Sequence, residues 1–203
     1  MPVLLRRLEP AHLNEAIHTA AYTTFVDRDE AGQRNYPNIT EDGLRAYYGG
    51  IFPHILTHPR SLFLGAFHEG KIVGTGYTTP FLHWIKIGHR EQELGTEVLP
   101  EIAKRLGHIR LDEVAYMGGL TVHPEHQGTG VGSSIVNQQE DFAAKNFKAA
   151  VFTVIEGSKA YHMAKHGAPG KSGWMLLENI PQTDQHVGKR QFWTIKIFQQ
   201  ENQ

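Results

Sequence analysis

From Leu120 to Ser134 an apolar stretch ending in His-Pro-Glu-His-Gln leads into glycines at 128, 130 and 132, and a helical pattern follows directly. Glycine leaves out a side chain where backbone N–H groups must approach an anion, and the first turn of a helix presents N–H groups with no partner inside the helix. The helix dipole puts its positive end at the same place, so the segment predicts a cradle for a pyrophosphate. A Walker loop is excluded: it ends in Gly-Lys-Ser/Thr, and no lysine occurs between 105 and 144. A dinucleotide fingerprint fits poorly, because the spacing from Gly128 is Gly-x-Gly-x-Gly and the position is late in the chain. A glycine-rich turn without a ligand is the other reading that a glycine cluster alone allows.

The longer run from Val122 to Ser133 resembles the acetyl-CoA motif of the GNAT superfamily of N-acetyltransferases. That motif reads Val-x-Pro, two residues, then Gln/Arg-x-x-Gly-x-Gly/Ala; Val122, Pro124, Gln127, Gly130 and Gly132 fall on its marked positions. The order of strands and helices fits that superfamily from about Val3 to Phe198. The resemblance implies one N-acetyltransferase-like domain over residues 1–203: an α/β fold with a mixed, mostly antiparallel sheet, flanking helices and splayed central strands. It implies acetyl-CoA as co-substrate and no metal. Backbone groups of Leu120, Thr121 and Val122 would hold the pantetheine arm. Gln127 would open the loop, and Gly128, Thr129, Gly130, Val131, Gly132 and Ser133 would bind the pyrophosphate. Strands over Val114–Val122 and Ala149–Ile155 would part to admit the arm. Gly118 and Gly119 there suit either a bulge or close helix packing.

Acetyl transfer to an amine requires a deprotonated amine, since an alkyl ammonium has a pKa near ~10. It also requires an oxyanion donor and an outlet for the departing thiolate. The first candidate base is Glu113 at the start of the motif strand; a solvated charge beside Asp112 and Arg110 is the plainer reading. His123 and His126 titrate in a suitable range and read equally as surface histidines. Many GNAT proteins carry a tyrosine acid in a pattern like Asn-x-x-Ala-x-x-Tyr-x-Lys-x-Gly-Phe. Anchored on Gly167, Ala160 and Lys165 match, but Met163 takes the tyrosine position, Gly157 the asparagine and Ala168 the phenylalanine. Tyr161 is the nearest phenol and is retained as the acid, with Tyr116 a further option and unaided thiolate departure another.

Other groupings are weaker. His162 and His166 stand at the i, i+4 spacing of zinc ligands, with no third ligand marked, and also suit a solvated helix face. Tyr47, Tyr48, Phe52, Phe81, His83 and Trp84 read as core or as the aromatic wall of an acceptor pocket. Asp27, Asp29 and Glu30 read as an acidic loop or as a lure for a cationic amine.

The elements that must position these groups follow from periodicity and punctuation. Val3–Leu8 predicts a strand and Ala11–Phe25 a helix. Thr40-Glu41-Asp42 caps a second helix, with interruptions at Gly49-Gly50 and Pro53. Ser61–His68 and Lys71–Thr79 predict a hairpin about Glu69-Gly70. A helix over Val98–Leu106, a strand over Val114–Val122, a helix over Ser133–Phe147 and a strand over Ala149–Ile155 come next. A short helix over Ser158–His166 and strands over Trp174–Ile180 and Gln191–Phe198 close the chain. With 203 residues, 40% hydrophobic, 20% charged and a formal charge of -1, the composition supports an ordinary core and excludes disorder. It lacks the basic excess of a phosphate-backbone binder and the apolar run of roughly 18 residues that a membrane helix needs. With no cysteine there are no disulfides, thiolate metal sites or thiol nucleophiles. The N-terminal residues do not form a secretory signal, so a cytoplasmic protein is expected. The expected activity is acetyl transfer from acetyl-CoA to a primary amine of a small molecule, by direct attack in a ternary complex. The competing reading is a catalytically silent CoA-binding module of the same fold. No nucleic-acid or membrane partner is expected, and a homodimer is left open.

Overall fold

The computed structural model of the chain describes residues 2–27, 36–90, 94–95, 98–158, 160–162, 173–183 and 190–198. In chain order the elements are β1 (Leu4–Arg7), α1 (Leu13–Val26), α2 (Glu41–Thr57), β2 (Leu62–His68), β3 (Lys71–Pro80), α3 (Phe81–Ile87) and α4 (Val98–Leu106). Then follow β4 (Val114–Val122), α5 (Val131–Asn146), β5 (Ala149–Ile155), β6 (Met175–Thr183) and β7 (Arg190–Ile197). The strands form one sheet in the order β1-β2-β3-β4-β5-β7-β6. Every neighbouring pair is antiparallel except β4 and β5. The mixed, mostly antiparallel sheet flanked by helices is the architecture the sequence predicts.

Short-range chemistry explains several boundaries. Glu69 and Gly70 both adopt left-handed backbone (φ 51° and 80°), which suits the two-residue turn joining β2 to β3. The Thr40 hydroxyl accepts from the Gly43 N–H at 3.1 Å and starts α2. That helix runs unbroken through Gly49, Gly50 and Pro53, contrary to the expected interruptions. Leu44, Tyr48, Ile51, Phe52 and Ile55 are buried along it, and this packing outweighs poor local propensity. The seven-residue α3 starts on Pro80 without a side-chain cap, so no sequence signal announces it.

One face of the sheet carries α1 to α4 over the largest core. Phe52, Phe81, Trp84 and Tyr48 belong to that core, the first two fully buried. They pack in the core, and of the aromatic group only Tyr47 is exposed, at 39%. The opposite face is covered by α5, whose Ile135 and Ala143, with Phe147 just past its end, pack on β2, β3, β4 and β5. On that face the Glu140 carboxylate pairs with Lys196 of β7 and accepts from Trp174 Nε1 at 3.3 Å. Among the described residues no helix is long and apolar enough to cross a membrane.

Candidate functional site

Two departures from regular pairing shape the middle of the sheet. First, β4 and β5 are in register only over Val114–Tyr116 and Ala149–Val151; beyond these residues they part. Second, β4 carries an extra residue opposite β3. Tyr77 pairs with Gly118 and Thr75 with Thr121, so Gly119 and Leu120 together face Gly76, and Gly119 is left-handed at φ 61°. Gly118 and Gly119 therefore serve a bulge. They also meet Tyr77 closely: a Cβ on Gly119 would lie 2.6 Å from its ring.

β4 then delivers the chain to the glycine loop. Pro124–His126 form a single 3-10 turn, and the Gln127 side chain folds back to donate to the Val122 carbonyl at 3.1 Å. The Gln127 N–H is taken by the Pro124 carbonyl at 3.2 Å. Gln127 thus braces the loop and does not face an anion with its own main-chain donor. Thr129 is tied as well, its hydroxyl donating to the His126 carbonyl at 2.6 Å. Gly130 is the N-cap of α5 in left-handed backbone (φ 88°), with no side-chain cap and no acidic residue in the first turn. The first helical bond runs from the Ser134 N–H to the Gly130 carbonyl at 2.9 Å. The N–H groups of Val131, Gly132 and Ser133 precede it and have no partner within the helix. A Cβ at Gly128 or Gly130 would meet nothing within 4 Å, so the approach is open. An uncapped, acid-free helix start beneath open glycines fits a pyrophosphate.

Which backbone groups of β4 face the parting follows from one bond. The His123 N–H donates to the Val73 carbonyl of β3 at 2.8 Å, and main-chain groups alternate sides along a strand. Those of Leu120 and Val122 therefore point to the β5 side, where an extended arm can lie. Thr121 faces β3, and its hydroxyl meets that of Thr75 at 2.9 Å. Of the three residues expected at the arm, Leu120 and Val122 thus turn their main chain toward the parting and Thr121 turns its own toward β3.

Glu113 does not join this site. It lies just before β4, at the end where β4 and β5 are paired, about 20 Å from Gly119 at roughly 3.3 Å per residue. Its carboxylate is 2.5 Å from Lys148 Nζ and accepts from the Arg110 N–H at 3.2 Å. These hydrogen bonds, the lysine's first, lower its pKa from the ordinary carboxylate value. The Glu113 carboxylate is thus engaged by Lys148 at the paired end of β4.

Tyr116 stands where the paired stretch ends. Its ring stacks on Trp84 at 3.8 Å, and its hydroxyl meets that of Thr153 at 3.2 Å across the strands. Burial raises its pKa, partly opposed by the bond to Thr153. Tyr116 is therefore a poorer proton donor than an ordinary phenol. Tyr161 lies on the α5 face of the sheet, its ring 5.5 Å from that of Phe192 and packed with Val154. Met163, Lys165, His166, Gly167 and Ala168 lie outside the described residues, as do Asp29 and Glu30. His123 stacks on Tyr22 at 5.6 Å. His126 meets His68 at 4.9 Å, and both line a cleft of about 650 Å³ that also takes in Thr129, Gly130 and Ser134. Among the described residues no group of three His, Asp or Glu is placed to hold a metal.

A model of the Acetyltransferase (GNAT) family matches residues 27–168. Solved structures share the fold. A GCN5-related N-acetyltransferase from Kribbella flavida is 16% identical at a TM-score of 0.60, covering 97% of this chain and 98% of that one. The yncA protein of Salmonella typhimurium, solved with its cofactor acetyl-CoA, is 13% identical at 0.60, covering 100% and 98%. The PaiA N-acetyltransferase of Thermoplasma acidophilum, solved with coenzyme A, is 15% identical at 0.52, covering 98% and 100%. No curated protein matches the sequence.

Proposed function

The chain belongs to the GNAT family of acetyltransferases, and we propose that it moves the acetyl group of acetyl-CoA onto a primary amine of a small molecule by direct attack in a ternary complex. The observation that carries this reading is the continuity of two features. The uncapped start of α5 follows by a short loop on β4, the strand that parts from β5, an order that suits a pyrophosphate followed by an extended arm. The neutral amine nitrogen attacks the thioester carbonyl carbon, the C–S bond breaks, the nitrogen gives up a proton to solvent as the amide forms, and the sulfur leaves as thiolate and takes a proton to become the thiol. The chain's part is to bind and orient. The N–H groups of Val131, Gly132 and Ser133 hold the pyrophosphate, and Leu120 and Val122 align the arm. Tyr161 is the proton donor of this proposal. A sequence with no cysteine offers no thiol to carry the acetyl group, which favours direct attack over a relay. A formal charge of -1 gives no strong field to steer a basic protein tail, which favours a small acceptor.

The test is release of free thiol from acetyl-CoA with a panel of small primary amines and of basic peptides. Turnover with the amines at well above the peptide rate is expected. Faster turnover of the peptides would overturn the acceptor assignment. CoA binding without thiol release from any acceptor would mark a silent CoA-binding module.

A further inference from the structure

The β4 bulge is held by two side chains from outside its strand. Gln139 of α5, only 1% exposed, directs its amide nitrogen to the carbonyls of Tyr77 at 2.5 Å and Gly118 at 3.2 Å. Gly76 makes room for it: a Cβ there would lie 3.1 Å from the Gln139 amide carbon and 2.4 Å from Ile135. From β3, the fully buried Thr75 donates its hydroxyl to the Gly119 carbonyl at 2.9 Å. The Thr121 hydroxyl lies 2.9 Å from that of Thr75 and can donate to it in turn. Two successive carbonyls of β4 are thus held on the β3 side. A trans peptide points its N–H opposite to its C=O. The N–H groups of Gly119 and Leu120 are therefore both turned toward β5, beyond the point where β5 has left. A regular strand would turn only one of two consecutive N–H groups that way.

We propose that Gln139 and Thr75 are positioning residues for acetyl transfer: by clamping the carbonyls of Gly118 and Gly119 they aim two adjacent N–H groups at the thioester oxygen in the parting. The inference rests on the acetyl-CoA reading above. Neither side chain touches the thioester; both fix donors that do, and fixed donors are effective because they need not reorient as charge develops. Gln139 also links two parts of the site, since the helix that begins at the pyrophosphate loop holds the bulge 9 residues further on (139 − 130).

The test reads the thioester itself and needs no known acceptor. Acetyl-CoA labelled with ¹³C at the carbonyl is bound to the wild-type chain and to Gln139→Leu, Thr75→Val and Thr75→Ser. The isotope-edited infrared band of the carbonyl is recorded, with affinity measured by calorimetry and folding by thermal melting. Two N–H donors polarise the carbonyl, so the wild-type band is expected below that of free acetyl-CoA. Gln139→Leu and Thr75→Val should lose part of that shift at near-unchanged affinity, and Thr75→Ser should keep it. With an accepted amine, kcat should fall by roughly a hundredfold in the first two variants while KM for acetyl-CoA holds. If Gln139→Leu does not fold, the Thr75 pair decides. A band as low as the wild type's in any folded variant that lacks the clamp overturns the proposal, as do a wild-type band at the position of free acetyl-CoA and a loss confined to affinity or stability. If the wild-type chain does not bind acetyl-CoA at all, the acetyl-CoA reading fails, and with it this inference.

Discussion

At Glu113 the carboxylate that a sequence offers as a base is already committed. The Lys148 ammonium lies 2.5 Å away, and the main chain of Lys148 also donates to the Glu113 carbonyl at 2.9 Å. Its folded pKa is depressed, so its contribution to stability is present above the unfolded pKa, ~4.3, and is lost as pH falls through the folded value. Glu113→Gln should therefore leave turnover within about twofold while flattening the acid limb of a stability–pH curve. A large loss of kcat would restore it as a catalytic group. Tyr161 is the complementary case: the hydroxyl is the only group removed by Tyr161→Phe, and the ring contact with Phe192 stays. If the phenol protonates the sulfur, kcat falls by about a hundredfold or more with acetyl-CoA binding intact. A change under about threefold would leave thiolate departure unaided. Residue type and place in the sequence made both side chains candidates, and only long-range neighbours tell them apart. The Glu113–Lys148 pair joins the residue before β4 to the link between α5 and β5, which no local pattern reveals.

Among the elements, α5 bears most directly on ligand binding, because its first turn is uncapped and its N-cap is a left-handed glycine. Gly130→Asp would strain that backbone and place a carboxylate where a pyrophosphate is to sit. CoA affinity should fall by more than tenfold in calorimetry on a folded variant, and unchanged affinity would contradict the assignment of the loop. This part of the site was legible in the sequence, since glycine spacing, a strand end and a helix start are all local signals. So were the β2–β3 turn, the Thr40 cap, and the boundaries of α4, β4 and β5, each set by residues within a few positions of one another. The aromatic segments left both readings open because an aromatic stripe has the same spacing whether it lines a pocket or fills a core. Trp84, at 2% exposure, fills the core. Gln139 and Thr75 were invisible for a different reason. Gln139 lies 62 positions from the Tyr77 carbonyl it serves, and buried glutamine has no periodic signature.

For the whole molecule, the parting divides the sheet into a half of β1 to β4 and a half of β5, β7 and β6. A ligand lying between them touches both halves and binds only the folded chain. It should therefore stabilise the fold by mass action, by about 2.7 kcal/mol at a hundredfold excess over Kd. The melting temperature should climb steadily with added CoA, and a flat response would argue against binding in the parting. Besides the few paired residues, α5 joins the halves through two neighbours in sequence: Gln139 grips β3 and β4, and Glu140 grips Lys196 on β7. Their adjacency makes the helix sensitive to frame as well as to composition. One residue inserted after Gln139 would leave the bulge held but turn every later position by roughly 100° about the helix axis. Glu140 would swing off Lys196, and the far half of the sheet would lose its register against the near one. A single substitution there removes one grip, whereas a change of length displaces every contact beyond it at once.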